Sequence, residues 1–185
     1  NMNFARLSER LMKIHRGFEY GDEDIIARHG CVSEGMFKVG RMVYKAVVLP
    51  DLLTLRRSTV EHLTAFLDAG GTVFAAGSLP ARIEGEPAED ELKALNDRIV
   101  PVPNDEQALA DALRKAVPPR VSVKSGAGDP ASVFLHEREL EDGRLIAFLA
   151  NTSRSDSVKL KLCVRGRFGV EEWDAETGDV RAAGA

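Results

Sequence analysis

The stretch from Tyr44 to Ala76 constrains the fold more than any other. Ala46-Val47-Val48-Leu49 is apolar at successive positions. A strand of that kind needs cover on both faces, as a central parallel strand does. Tyr44 to Leu49 is therefore predicted as the first strong strand, closed by Pro50. A helical pattern follows, with Val60, Leu63, Phe66 and Leu67 on one face and Gly70-Gly71 as the stop. Ser58-Thr59-Val60-Glu61 reads as a capping box, with Ser58 as N-cap and Glu61 reaching back. Thr72 to Ala76 is a second buried strand, ending in Gly77-Ser78. Strand, helix and strand with short connections form a βαβ unit, and such units cross over right-handed.

The flanking segments extend an α/β layer. Phe4, Leu7, Leu11 and Ile14 place one apolar face on a helix over residues 3 to 16, stopped at Gly17. Phe18 to Tyr20 reads as extended, and Asp22-Glu23-Asp24 is placed to open a short helix that Gly30 ends. Residues 31 to 39 read as a hairpin turning at Ser33-Glu34-Gly35. Residues 80 to 87 read as loop, 88 to 96 as a helix with Leu92 and Leu95 inward, and 99 to 102 as an edge strand broken by Pro101. Asn104 is the expected cap of a further helix, with Leu109, Ala112 and Leu113 facing in and Pro118-Pro119 ending it.

After Pro119 the pattern changes. Candidate strands at 120–124, 132–140, 145–151, 158–164 and 168–173 follow one another with turn residues between them and no helices. That spacing implies an antiparallel sheet or sandwich. The expected division is an α/β domain over residues 1–118 and a small all-β domain over 119–185, within a chain of 185 residues.

Charge and composition narrow the function classes. A net charge of −4 and an isoelectric point near 5.6 give no basic face for nucleic acid. No apolar run is long enough to span a bilayer, and no secretion signal is visible, so a cytoplasmic setting is favoured while the compartment stays unassigned. Cys31 and Cys163 lie far apart and are expected as reduced thiols. His15, His29, His62 and His136 are dispersed; His62 reads as a surface residue, and His29 with Cys31 lacks the further ligands a metal needs. No metal and no cofactor are expected.

Candidate chemistry is sparse. Ser78 sits on the turn after a buried strand, where a nucleophile elbow would stand, but the full G-x-S-x-G pattern is absent and a plain turn explains it. Tyr20, Asp22 and Glu23 are the ligand-binding candidates of the α/β half, lining a cleft at a strand end; helix capping accounts for the same acidic residues. Trp173 is a core residue by burial habit and a sugar-stacking platform by chemistry. Asn151-Thr152-Ser153 matches a glycosylation acceptor. Glu171 and Glu172 point to opposite strand faces, so they do not pair for general acid–base work. No catalytic residue is assigned.

Three segments resemble an internal region of large bacterial glycoside hydrolases of the α-L-rhamnosidase type: Phe18 to Gly30, Val39-Gly40-Arg41 with Tyr44 to Pro50, and Thr54 to Thr59. That region is similar to a class I glutamine-amidotransferase-like, flavodoxin-like domain, which many β-galactosidases use for oligomer contacts. Phe148 to Thr152 and Trp173-Asp174-Ala175-Glu176-Thr177-Gly178 resemble β-sandwich modules of the same enzymes. The resemblance implies two departures. Gly77 stands where an amidotransferase carries its nucleophilic cysteine, and the first strand of the flavodoxin-like sheet is missing ahead of the first helix. It also implies a non-catalytic accessory fragment with a structural, inter-domain or oligomerisation role. The expected partners are other domains of a parent glycosidase, a homo-oligomer or carbohydrate, with neither nucleic acid nor membrane. The alternatives are an independent small hydrolase using Ser78 or a carboxylate near Tyr20, and a carbohydrate-binding module using Trp173.

Overall fold

The computed structural model describes residues 2–103 and 105–183. Helix α1 (Met2–Lys13) and the short α2 (Glu23–His29) precede a meander of β1 (Gly30–Ser33), β2 (Met36–Val39) and β3 (Met42–Tyr44). The βαβ unit follows: β4 (Ala46–Pro50), a two-residue β5 (Thr54–Leu55), α3 (Arg57–Asp68) and β6 (Thr72–Ala76). Next come β7 (Arg82–Ile83), β8 (Glu86–Pro87), α4 (Glu89–Asn96), β9 (Val100–Pro101) and α5 (Glu106–Ala116). The rest is β10 (Val121–Ala127), β11 (Val133–Glu139), β12 (Leu145–Asn151), β13 (Lys159–Val164), β14 (Glu171–Trp173) and β15 (Val180–Ala182).

Strands β4, β6 and β9 form a parallel sheet in that order, with Ala46 opposite Thr72 and Pro50 opposite Ala76. Strand periodicity divides its residues between two cores. Val47, Leu49, Val73 and Ala75 join one cluster with Leu63 and Phe66 of α3, Leu92 of α4 and Phe37 of the meander. Ala46, Val48 and Phe74 join the other with Leu7 and Leu11 of α1 and Leu109 and Leu113 of α5. Helices thus cover both faces, as the apolar runs require. Phe66 is fully buried and meets Phe37 edge to face at 5.6 Å. Its ring lies so close to Gly71 that a Cβ there would collide with it.

Several ends differ from the sequence reading. Ser58 is not the N-cap of α3: Arg56 is, in an extended conformation and without a side-chain cap. Carboxylates from distant loops take the orphan donors instead, Glu84 accepting from the Arg57 amide at 3.0 Å and Glu23 from the Arg56 amide at 2.8 Å. Negative charge at a helix N-terminus need not come from the next turn of the same chain segment. The expected cap Asn104 lies outside the described residues, and Asp105 caps α5 by accepting from the Ala108 amide. Tyr44 belongs to the meander rather than to the first parallel strand, which begins at Ala46. The loop at 80–87 contains the two-residue pair β7–β8, turning at Glu84 and Gly85, both with positive φ. His62 is half-buried, not a surface residue. Its Nδ1 faces the Ser58 carbonyl at 2.7 Å and its Nε2 the Gly30 carbonyl at 3.1 Å, tying α3 to the meander.

The second half is antiparallel throughout, in two-stranded pairs β10–β13, β11–β12 and β14–β15. Strands β14 and β15 form a hairpin around Asp174–Asp179, with Trp173 opposite Val180. Guanidinium groups hold the junction. Arg16 donates to the Val117 carbonyl at 2.8 Å, and Arg165 donates to the Pro118 and Pro119 carbonyls at 2.7 and 3.0 Å. The Pro118-Pro119 linker is therefore fixed at both sides rather than left free.

Two outcomes follow from the packing. Phe66→Ala is expected to cost about 3–5 kcal/mol in urea unfolding, the range for removing a fully buried aromatic ring. A loss under about 1 kcal/mol would mean that the cluster closes over the gap. Tyr44 supplies a pH dependence. Burial, with the Glu19 carboxylate accepting from its hydroxyl, pushes its pKa up to about 12. An unfolded tyrosine ionises near 10. Its contribution is thus complete below pH 10 and is lost as pH rises through 12. Urea melts from pH 8 to 12 should show that decline, and Tyr44→Phe should flatten it.

Candidate functional site

Ligands of open α/β sheets bind at the carboxyl ends of the strands. Here that end is occupied by the chain's own polar groups. Asp51, just past β4, accepts from the Ser78 amide at 3.1 Å through one oxygen and from the Asn3 side-chain amide at 2.6 Å through the other. Gly77 has φ of 151°. A Cβ at position 77 would stand 2.6 Å from the Asp51 Cβ and 2.9 Å from its Cα. Asp51 follows directly on β4 and is held by its hydrogen bonds to Ser78 and Asn3, so the position demands glycine. Ser78 is exposed, and among the described residues no histidine hydrogen-bonds it. The Asp51 carboxylate there engages the Ser78 backbone amide.

The large concavity lies elsewhere. A cleft of about 1010 Å³ runs along β4, lined by every residue from Tyr44 to Pro50. Leu7, Leu11 and Phe18 line it from one face of the sheet, and Phe37, Leu55 and Leu63 from the other. Its floor is mostly apolar. Charged groups gather at the junction end, where Arg16, Arg120 and Glu137 line it together. Burial holds the Glu137 carboxyl above its usual range, with the two arginines pulling the other way.

The sequence-predicted residues separate into two places. Tyr20, Asp22 and Glu23 all line this cleft. Asp22 caps α2, its Oδ1 accepting from the Asp24 and Ile25 amides at 2.9 Å each, and Glu23 accepts from Arg56. Both carboxylates are thus engaged in shaping helix ends. Tyr20 is 63% exposed and packs against the rings of Phe4 and Phe18 at 4.8 and 5.5 Å. Trp173 stands on β14 outside the cleft. It is 67% exposed, so the core reading of it does not hold, and its Nε1 donates to Glu171 at 3.2 Å. Sequence reasoning missed Thr59. It is 5% exposed and lines the cleft, and its hydroxyl has no hydrogen-bond partner among the described residues. The supposed capping box concealed it, by assigning its neighbours to a helix end. Among the described residues no cluster of histidine, cysteine or carboxylate side chains can hold a metal ion. Among the described residues no helix is long and apolar enough to cross a membrane.

No family model and no curated protein matches the sequence. A solved structure does match in fold: an exo-carrageenase of the GH42 class from Bacteroides ovatus, crystallised in its apo form. The two superpose with a TM-score of 0.62 at 18% sequence identity, over 98% of this chain and 24% of the other. The likeness shows a shared fold in a region amounting to about a quarter of that enzyme's length.

Proposed function

We propose that this chain is a non-catalytic accessory region of a carbohydrate-active glycoside hydrolase, with a structural or inter-domain role. The arrangement at the carboxyl end of the sheet carries the reading. Both oxygens of Asp51 are taken by Asn3 and Ser78, and Gly77 is sterically fixed where a nucleophile would have to stand. The fold shared with part of a larger glycoside hydrolase supports the carbohydrate connection. In finer terms the first half is a flavodoxin-like, amidotransferase-like layer without a working site, and the second half, from about Pro119, is a β-sandwich-like module. A parent of the α-L-rhamnosidase type is the narrower form of the proposal.

The test is turnover. The purified chain should release no chromophore from aryl rhamnosides or aryl galactosides, and measurable hydrolysis that survives repurification would overturn the reading. Gly77→Cys should not create glutamine hydrolysis. It should cost about 1–3 kcal/mol in thermal or urea unfolding, because it forces a side chain into backbone space. An unchanged melt would mean that Asp51 moves aside freely.

Trp173 supports a second reading, that the β half binds carbohydrate. A tryptophan ring with two-thirds of its surface in water, and its indole N–H turned toward a carboxylate, has the form of a stacking platform. Oligosaccharide titration should then change its fluorescence, and Trp173→Ala should abolish the response. A flat titration at millimolar sugar removes this reading.

A further inference from the structure

The ribbons β10–β13 and β11–β12 share no backbone ladder among the described residues. Side chains hold them to each other and to the α/β half instead. Arg120, one residue before β10, pairs with Glu139 of β11. Arg16, just past α1, donates to the Val117 carbonyl, and Arg165, just past β13, donates to the Pro118 and Pro119 carbonyls. The Arg165 amide adds a bond to the Arg120 carbonyl at 2.9 Å. Each guanidinium group at this joint has a partner in the linker or beside it.

One charged group at the same place is left out. Glu137 lies two residues before Glu139 on β11, so strand alternation puts both carboxylates on one face. Glu137 is half-buried and lines the end of the cleft together with Arg16 and Arg120. Both guanidinium groups bond elsewhere, and among the described residues neither forms an ion pair with Glu137. Ala147, opposite it on β12, offers no side-chain donor. The other charged groups around it are engaged with other partners. His15 faces the Pro130 carbonyl, Lys13 pairs with Glu9 and Arg114 with Asp111. Lys45 lies toward Glu139, and Asp129 caps the turn before β11.

The two protonation states of Glu137 suit different arrangements. Neutral, it leaves Arg16 and Arg120 to the partners they have here. Ionised, it competes with the Val117 carbonyl for one guanidinium and with Glu139 for the other, and a charge-assisted bond is stronger than one to a neutral carbonyl. Burial holds the Glu137 carboxyl above its ordinary value of 4.5, against the pull of Arg16 and Arg120. The present arrangement is therefore most favoured below pH 4.5 and loses that contribution as pH rises through the raised value. We propose that Glu137 is a proton-operated catch at the joint between the two halves: the neutral carboxyl leaves Arg16 on the linker and Arg120 on Glu139, and ionisation draws both guanidinium groups to Glu137 and loosens the linker and the start of β10. The inference stands apart from any role in carbohydrate chemistry and survives if that reading fails.

The experiment follows the intact chain from about pH 4 to 8, where carboxyl and imidazole groups titrate. Carbon NMR reads the Glu137 carboxyl. Exchange protection of the Arg165 amide, corrected for the intrinsic pH dependence of exchange, reads the joint. Glu137 should titrate above 4.5. Arg165 protection should fall by about threefold or more over the same step, while that of Phe74 in β6 stays constant. Glu137→Gln, which is neutral at every pH and of the same shape, should hold protection at its acid level throughout. His15→Asn should leave the fall in place. A Glu137 midpoint at or below 4.5 would overturn the inference, and so would Arg165 protection that does not follow that midpoint. A fall that persists in Glu137→Gln, or vanishes in His15→Asn, would overturn it by assigning the step to another group. If Glu137→Gln does not fold, the carbon titration and the exchange of the unsubstituted chain decide between these outcomes.

Discussion

Strand β6 is hydrogen-bonded along both edges and buried on both faces, and the rest of the α/β layer is arranged around that condition. Val73 and Ala75 point into one core and Phe74 into the other. Each face then needs helices, which α3 and α4 supply on one side and α1 and α5 on the other. The tight connections at the strand's ends follow. Gly71 carries no Cβ because the Phe66 ring presses on it, and Gly77 carries none because Asp51 does. A strand enclosed so closely leaves no room at its carboxyl end for the reactive side chain that other proteins place there. The glycine at position 77 is thus part of how the strand packs.

That core was legible in the sequence because its causes are local. Continuous apolar runs and a helical period identify β4, α3 and β6 within a residue or two. What escaped depends on contacts between distant segments. Glu84 and Glu23 reach the start of α3 from 27 and 33 residues away, so the local motif at Ser58 gave the wrong cap. Tyr44 follows its pairing with Phe37 in the meander, although its side chain fits the apolar run after it. Strands of two residues, such as β5, β7 and β8, carry too little periodicity to be read.

The candidate site was legible only as a list of residues. Tyr20, Asp22 and Glu23 do share a cleft, yet no local pattern reveals that the same cleft is walled by Leu7, Phe37 and Leu63 from three separate elements. Capping was the competing explanation for Asp22, and its hydrogen bonds to Asp24 and Ile25 support capping. These are compatible roles. A residue that fixes the N-terminus of α2 also fixes one wall of the cleft. Trp173 failed in the opposite direction, because burial habit assumes a core and its hairpin provides none.

The β half carries this point further. Both apolar clusters of buried residues end by Leu113, and among the described residues beyond the linker only Val121 and Val133 are buried hydrophobic residues. Ile146, Phe148, Phe168 and Trp173 are each at least 43% exposed. A two-stranded ribbon is marginal in water without something to pack against. The ribbons here are held at one end, where Arg165 grips the linker, Arg120 pairs with Glu139 and His15 meets the Pro130 carbonyl. Those are polar contacts around a junction. They fix where the ribbons start and bury none of the outward apolar side chains. An interface elsewhere would supply that burial, and the cleft beside β4 makes the same demand on the other half. Among the described residues, the walls of the cleft along β4 and the outward faces of the ribbons are thus the apolar surfaces that the chain's own packing leaves uncovered.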